Sequence, residues 1–575
     1  MTEIPGIPEI PLPSQPVGGG WDDPLNGRPP VHPSASEAGR LLCAGTYING
    51  SYRDRVIDEL YVHEERIAAP SYGFDAARVL AHALRARRIE LGWAAAVLGA
   101  WFVGLLLTDW ALMLLLVPFL MLSLAGWLSS RDNPVLRFLG ALLRVYVVVS
   151  VILSVVAVVS VGLLLGNALG ETIGYDTLLA LDEAGEETAY LWGVAAVGAA
   201  LVTLVALQRS QVAKVIATDL SPHRYADQAT DPAEAAPGAR LERIRRRIRN
   251  EQWSPLVVYD INHPLCGAGD PYRPWHLSVE LRPRADLGPD RKPTPLDNAQ
   301  ILGKVVPRLQ RLRVPSPHGS AQARDAVMDR LRELVIEESV FLPAAGLPHR
   351  DAAPVDPGSY TEHRAASVEE GGELRRHFLR VRVGGWDENL VVTVFVRVHT
   401  QGGMLMLEVA PHVLLPLPVS FLNADADAQR FLNNHWFGKA VWAMAHTPGS
   451  FATAVITLFR GLTSWWRIAT GGHGGARPDG PYASVRELAS QDNGSIFHLM
   501  DLDRYLKTIQ DRVVAGVTEA LHEAGWHTEE FAQRAVTVAD GGVYIQSVHG
   551  SAFSVGGSGH TNSVGQTGKG SSGGK

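Results

Sequence analysis

The 575-residue chain carries 52 Lys and Arg residues against 59 Asp and Glu residues, which gives a formal net charge of −7. This small imbalance excludes the strongly basic character of most nucleic-acid-binding proteins, so we expect no nucleic-acid partner. The mean hydropathy is close to zero, because long apolar runs alternate with polar stretches. The composition therefore indicates a membrane-embedded part joined to soluble parts.

Residues 1–39 are rich in Pro and Gly and contain few large apolar side chains, so they predict a disordered tail. Residues 40–90 predict a short cytoplasmic region that ends in a basic helix just before the membrane. Arg85 and Arg88 lie on this helix and are predicted to contact anionic lipid headgroups. The alternative is that these charges only set the membrane topology.

Residues 91–207 predict a bundle of four transmembrane helices. Between Glu90 and Arg131 the one charged residue is Asp109, and this run is about twice the ~20 residues that a helix needs to cross the hydrocarbon core. The chain must therefore turn back, and Thr108-Asp109 is the polar point at which we expect the turn. The predicted spans are 91–108, 110–128, 138–166 and 190–207.

The charges that flank these spans predict the orientation of the bundle. Arg and Lys residues precede the first span, separate the second from the third and follow the fourth, whereas the segment 167–189 is acidic and has no Lys or Arg. By the positive-inside rule, both termini lie in the cytoplasm. The chain is thus expected to be a multi-pass protein of the cell (inner) membrane, with the lipid bilayer as a partner.

Two pairs of small residues spaced four positions apart are candidates for close helix packing. They are Gly162 with Gly166, and Ala195 with Ala199. Packing within one bundle and packing in a homo-oligomer are both open interpretations.

Residues 208–254 predict a polar connector that contains a strongly cationic helix. Arg243, Arg246 and Arg247 are predicted to contact the membrane surface. An acidic protein partner or a solvated helix face would also account for this charge.

Residues 255–418 predict a cytoplasmic α+β domain with a mainly antiparallel sheet. The strongest strand patterns are 375–383, 389–399 and 404–415. Gly402-Gly403 predicts a tight hairpin turn between the last two strands.

Residues 419–470 predict a helical region whose segment 448–469 is amphipathic. We expect this segment to lie in the membrane interface, with a buried helix and a fifth span as alternatives. Arg460 opposes the span, since an Arg at mid-bilayer depth costs about 2.5–3.5 kcal/mol. The residues predicted to contact the membrane surface here are Arg460, Trp465, Trp466 and Arg467.

Residues 482–555 predict a helical carboxy-terminal region, in which Gly525 ends an amphipathic helix. Residues 556–575 are almost entirely small and polar, with Gly and Ser predominant, and predict a second disordered tail.

No phosphate-binding loop, metal-ligand spacing or catalytic motif stands out, so we expect no cofactor, no metal and no enzymatic activity. Cys43 and Cys266 are expected to be reduced. The predicted function is that of a membrane anchor whose cytoplasmic α+β module docks, assembles or signals with a cytoplasmic protein partner. A membrane-remodelling or permeabilising protein and a membrane-bound enzyme are the alternatives.

Overall fold

The computed structural model describes residues 32–539 with short gaps. The gaps are residues 111, 130, 132, 170–174, 236–237, 287–291, 314–330, 332–333, 386–388, 471–475 and 492–493. The predicted tail 556–575, and most of the predicted tail 1–39, lie outside the described residues. The amino-terminal tail is shorter than predicted, because a helix begins at Glu37.

The described chain opens with two short helices, α1 (Glu37–Ile48) and α2 (Gly50–Ile57). Each begins where a side chain accepts a hydrogen bond from the first turn: Ser36 Oγ from the Gly39 N–H and Asn49 Oδ1 from the Tyr52 N–H. Such caps satisfy backbone donors that the helix itself leaves unpaired.

Four longer helices follow: α3 (Ala76–Leu107), α4 (Met113–Ser129), α5 (Pro134–Leu169) and α6 (Tyr175–Lys214). The basic helix before the first predicted span and that span are one helix, as expected. The predicted turn is also present, since Asp109 and Trp110 have φ angles of 42° and 68°. The acidic segment 167–189 was expected to be a loop, but helix α6 already begins at Tyr175.

The expectation of four membrane spans is met only in part. Two helices of the described chain, Ala76–Leu107 and Trp192–Asp219, are long and apolar enough to cross a membrane. A shorter apolar helix covers Leu115–Ser129. Helix α5 has the bounds expected of the third span, but its side chains beyond residue 160 lie outside the described part.

After α6 come a short turn of helix, α7 (Pro222–Tyr225), and the cationic helix α8 (Ala239–Gln252). Leu241, Ile244 and Ile248 of α8 are buried, while Arg243 and Arg246 are exposed. The spacing of three and four residues explains why one side of α8 packs and the other remains in water.

The sheet of the predicted α+β domain has seven strands and is mixed. Its order is β1-β4-β5-β6-β7-β2, and β3 also pairs with β7. The β1–β4 pairing is parallel and the other pairings are antiparallel. The strands are β1 (Leu256–Tyr259), β2 (Asp270–Pro271), β3 (Trp275–Glu280), β4 (Val335–Pro343), β5 (Arg376–Gly385), β6 (Leu390–Gln401) and β7 (Met404–Leu414).

The hairpin between β6 and β7 follows the sequence prediction. Gln401 pairs with Met404, so the loop consists of Gly402 and Gly403, whose φ angles are 59° and 78°. Positive φ at both central positions is what a type I′ turn requires, and glycine adopts it without strain.

One face of the sheet packs under three helices, α9 (Asn298–Gln310), α14 (Ile496–Glu523) and α15 (Glu529–Ala539). A shorter helix, α10 (Pro357–Val368), lies beside β4 and β5. The opposite face holds a cluster of aromatic rings, Phe341, Phe378 and Phe395, whose centroids are 5.4 to 5.9 Å apart. Since both faces are covered, β6 is buried along almost its whole length.

The remaining helices join the sheet to the bundle: α11 (Val419–Leu422), α12 (Ala424–Asn433) and α13 (Trp436–Thr470). Residues of α1, α2, α3, α8, α11 and α12 share one buried apolar cluster. This second core is built from segments far apart in the sequence. It joins the start of α3 and the end of α6 to α1, α2, α8, α11 and α12.

The close contact between α9 and α14 gives a matched pair of substitutions. A Cβ at Gly516 would lie 2.7 Å from Val305 Cα, whereas a Cβ at Gly303 meets nothing within 4 Å. We expect Gly516→Ala to destabilise the protein by about 1–3 kcal/mol through overpacking. Gly303→Ala should be neutral or stabilising by up to about 1 kcal/mol, because alanine favours the helix.

Thermal unfolding of the detergent-solubilised chain measures both effects. A melting temperature that falls equally for both variants would contradict the close packing of the two helices.

Candidate membrane-contact surface

Helix α13 contains the amphipathic segment and packs against α3, α4 and α6. Phe451 lies 5.3 Å from Trp101 of α3, measured between ring centroids, and Ala454 is buried in the same cluster. Ser123 Oγ of α4 donates a hydrogen bond to the Pro448 carbonyl, at 3.1 Å. The middle of α13 is therefore enclosed by the apolar helices.

Both ends of α13 contact the basic end of the bundle. Near its start, Trp442 lies under the Arg209 guanidinium, 5.6 Å from Cζ to the ring centroid. Near its end, the Arg460 carbonyl accepts a hydrogen bond from Arg87 Nη2 at 2.8 Å. Because Trp101 lies about 21 Å along α3 from Arg87 at ~1.5 Å per residue, the middle of α13 lies deeper in the bundle than its ends.

Pro448 lies in the middle of α13, where the helix contacts α4. Pro448 lies inside the helix and has no N–H to donate to the preceding turn, which permits a bend. Both ends of α13 contact the basic end of the bundle, its middle packs against α3 and α4, and its outer side is exposed.

The side of α13 that faces away from the bundle is apolar and exposed. Trp465 and Trp466 are each 61% exposed. The other large apolar side chains on this surface are Trp436, Phe437, Val441, Met444, Val455, Ile456, Phe459 and Leu462. We call this the α13 surface. Such a continuous apolar surface is far from the usual solvent-exposed helix and is typical of interfacial helices.

The arginines of α13 pair with carboxylates of α2 and of the turn that follows it. Arg460 Nη1 lies 3.5 Å from Asp54, which also pairs with Arg87. Arg467 Nη1 lies 2.7 Å from Asp58. These pairs anchor the end of α13 to α2 and to the turn after it, and about half of each arginine side chain remains exposed.

The other predicted contact residues are divided between two places. Arg85 pairs with Asp219 at 2.8 Å, and Arg88 donates to the carbonyl of Leu84 on its own helix, so both lie within the basic end of the bundle. Arg243, Arg246 and Arg247 lie on α8, whose Arg249 contacts Asp75 at the start of α3. Arg247 also pairs with Asp351 at 3.0 Å, while Arg243 and Arg246 are exposed.

The small residues predicted to pack helices have different surroundings. Ala195 and Ala199 are exposed and do not pack within the bundle, while the surroundings of Gly162 and Gly166 lie outside the described part. The close contacts are made by Gly104, where a Cβ would lie 2.7 Å from Val197, and by Gly140, where it would lie 2.7 Å from the Ala125 carbonyl. Sequence reasoning missed these glycines, although Ala100 and Gly104 have the same four-residue spacing.

The start of α3 is held by a buried polar network that was not predicted from the sequence. The Asp75 carboxylate caps the helix by accepting a hydrogen bond from the Ala77 N–H. It also accepts hydrogen bonds from Gln252 and Arg249 of α8. One turn further on, Arg78 Nε donates to Asp231 at 2.8 Å. His82 Nε2 lies 2.9 Å from the same carboxylate oxygen.

Asp231 is therefore a buried carboxylate with two basic partners. Burial alone would raise its pKa, but the hydrogen bond from His82 and the charge of Arg78 hold the pKa of Asp231 well below its ordinary value. Its acceptors are used within the network, and among the described residues no group of three or more His, Cys, Asp or Glu side chains could hold a metal ion. These contacts fix the orientation of α3 relative to α8 and to the segment that contains Asp231.

Comparison with known proteins gives one match. Residues 274–553 match the family described as the AbeC-like domain. No curated protein and no solved structure matches the chain. The matched segment begins just before β3 and contains the strands β3 to β7, the α13 surface and α14, but none of the bundle helices α3 to α6.

Asp231→Asn tests the network at the start of α3. The amide keeps the shape but removes the charge opposite Arg78 and His82, so we expect a loss of about 2–4 kcal/mol at neutral pH. Because the pKa of Asp231 is lowered in the folded chain, its contribution is present above the unfolded value of about 3.9 and declines as the pH falls below it.

The difference in melting temperature between Asp231→Asn and the unmodified chain should therefore shrink below about pH 4. Asp227→Asn is the control, because Asp227 lies in the same segment and is exposed. Equal effects of the two substitutions would contradict the role of Asp231.

Proposed function

We propose that this chain is a multi-pass membrane protein with both termini in the cytoplasm, which holds a cytoplasmic α+β module against the bilayer. The observation that carries this proposal is the amount of apolar surface left on the bundle. Leu107, Val135 and Phe138 are each about 70% exposed, and many other large apolar side chains of α3, α4 and α5 are also exposed. Water is a poor environment for such a surface, and lipid is a good one.

Helix α5 supports the same proposal. Among the described elements it packs mainly against α4, and its exposed apolar residues between Val135 and Val156 cover the side opposite the buried Gly140 and Val147. A helix that is apolar on every side is typical of a lipid-embedded segment. Together with the two helices that are long enough to span, α4 and α5 complete the four spans of the proposed topology.

Cysteine labelling tests the topology. Asp109→Cys lies in the turn between α3 and α4, and Glu362→Cys lies on the exposed side of α10. In intact cells, we expect a membrane-impermeant maleimide to label Asp109→Cys and not Glu362→Cys, with the reverse in inside-out vesicles. The unmodified chain is the control, since Cys43 is buried and Cys266 is mostly buried.

Labelling of both positions from the same side would contradict the topology. A chain that carbonate removes from membranes would contradict membrane insertion itself.

We further propose that the cytoplasmic module docks a protein partner, rather than catalysing a reaction. An open cleft of about 540 Å³ lies between the end of β4 and the segment before β5, lined by Leu342, Pro343, Glu370, Gly372, Glu373, Leu374 and Arg375. The Leu374 carbonyl accepts a hydrogen bond from Tyr259, which fixes the backbone, while the Leu374 side chain is 61% exposed. An apolar side chain held outward between Glu370 and Glu373 suits a segment that has an apolar residue beside a basic one.

A photo-crosslinking amino acid in place of Leu374 tests this docking in cells. We expect an adduct with a protein partner, whereas the same amino acid in place of Asp511, an exposed position on α14, should give none. The adduct should weaken when Glu373→Lys is added, because the substitution reverses the charge beside the cleft. An equal yield from both positions, or no adduct at Leu374, would argue against docking at the cleft.

A further inference from the structure

The first turn of α14 exposes a group of large apolar side chains that the sheet does not use. Ile496 is 70% exposed, Phe497 64% and Met500 62%, and Leu499 is also exposed. The helix buries its opposite side from Leu502 onwards against the core of the sheet. We call residues 496–500 the α14 tip.

The α14 tip is a capped helix start rather than a frayed end. Ser495 Oγ accepts a hydrogen bond from the His498 N–H, and His498 Nδ1 accepts one from the Ser495 N–H. This reciprocal capping box fixes the first turn, so the four apolar side chains are held outward in a defined conformation. Their exposure in water is unfavourable, since burying a side chain of this size is worth roughly 1.5–3 kcal/mol.

A chain of contacts connects the segment before the tip to the basic end of the bundle. Asp54 of α2 pairs with both Arg87 and Arg460, at 3.6 and 3.5 Å. The next residue, Arg55, donates through Nη2 to the Leu488 carbonyl at 3.0 Å. The chain at Leu488 is thus in contact with α2, the helix whose Asp54 pairs with Arg87 of α3 and Arg460 of α13.

The described residues on either side of positions 492 and 493 lie close to the chain that follows β7. The Gln491 N–H donates to the Pro416 carbonyl at 3.1 Å, and a Cβ at Gly494 would lie 3.2 Å from Leu415. Leu415 leads directly into α11, where Val419 and Leu422 are exposed as well. Two exposed apolar segments, the α14 tip and α11, therefore both lie near the residues that follow β7.

We propose that the α14 tip inserts into the same lipid leaflet as the α13 surface, and so forms a second attachment of the cytoplasmic module to the bilayer. This inference rests on the proposed membrane location of the chain. The tip has no Asp, Glu, Lys or Arg among residues 494–500, so it suits the boundary between headgroups and acyl chains without a need for anionic lipid. The α13 surface differs, because it carries Arg460 and Arg467.

Fluorescence quenching in nanodiscs tests the insertion with the full chain. An environment-sensitive fluorophore is attached to Phe497→Cys, and separately to Met500→Cys so that the result does not depend on one variant. Lipids with a nitroxide on the acyl chain serve as quenchers. We expect at least twofold quenching at both positions, equal in neutral and anionic nanodiscs.

Two reference positions separate the possible failures. Asp511→Cys lies about 20 Å further along α14 at ~1.5 Å per residue and should not be quenched. Leu106→Cys, on the apolar part of α3 and 62% exposed, should be quenched if α3 spans the bilayer.

Quenching at Leu106 without quenching at Phe497 and Met500 would overturn the insertion of the tip and leave the proposed topology standing. The absence of quenching at Leu106 would overturn the topology on which the inference rests. A blue-shifted emission at Phe497 that the lipid nitroxide does not quench would mean that a protein covers the tip, which also overturns the proposal.

Discussion

Helix α3 is the element on which the rest of the structure depends, because its two halves require opposite environments. Its first turns carry Arg78 and His82, both fully buried and paired with Asp231. Its last turns expose Phe102, Leu106 and Leu107. Since one helix connects these halves, the polar network fixes the direction in which the apolar half extends away from α7 and α8.

The network also explains why the connector after α6 is ordered. Asp231 follows α7 and interacts with α3, and Asp75 at the start of α3 binds Gln252 and Arg249 at the end of α8. Breaking a buried charge pair by removing one partner leaves an uncompensated charge, which is costly. The connector is therefore held at several points by charged contacts, to which α8 contributes Arg249, while Arg243 and Arg246 remain exposed.

Much of the local structure could be predicted from the sequence, since short-range patterns determine it. The turn at Asp109, the Gly402-Gly403 hairpin and the end of α14 before Gly525, whose φ is 86°, all follow from the conformations that these residues favour. The amphipathic period of α13 also indicated an apolar face. What the period could not show is that the middle of α13 packs against Trp101 of α3 and Ser123 of α4, because these residues are more than 300 positions away in the sequence.

The parallel β1–β4 pairing and the Asp75 and Asp231 networks were not predictable for a related reason. Leu256 pairs with Val340 across 84 positions, and the intervening residues give no local signal for that register. The positive charge of α8 predicted lipid contact for Arg243, Arg246 and Arg247, which stays a prediction, but it did not reveal that Arg245 is buried and pairs with Glu234 and Glu242. A run of charged residues indicates that the charges need partners, but it does not indicate whether lipid, water or other side chains provide them.

The match to the AbeC-like domain gains a physical meaning from these contacts. The matched segment begins at residue 274, and so it lacks β1, which covers the edge of β4. It also lacks α1, α2, α3 and α8; the residues before 274 supply most of the second core, while α11, α12 and α13 lie within the match. Without the preceding chain, the edge of β4 and the apolar sides of α11 and α12 would be exposed to water, which favours association through strand edges and apolar patches. The apolar helices are thus not a separable part of this protein, because α3, which is apolar at its other end, contributes directly to the second core.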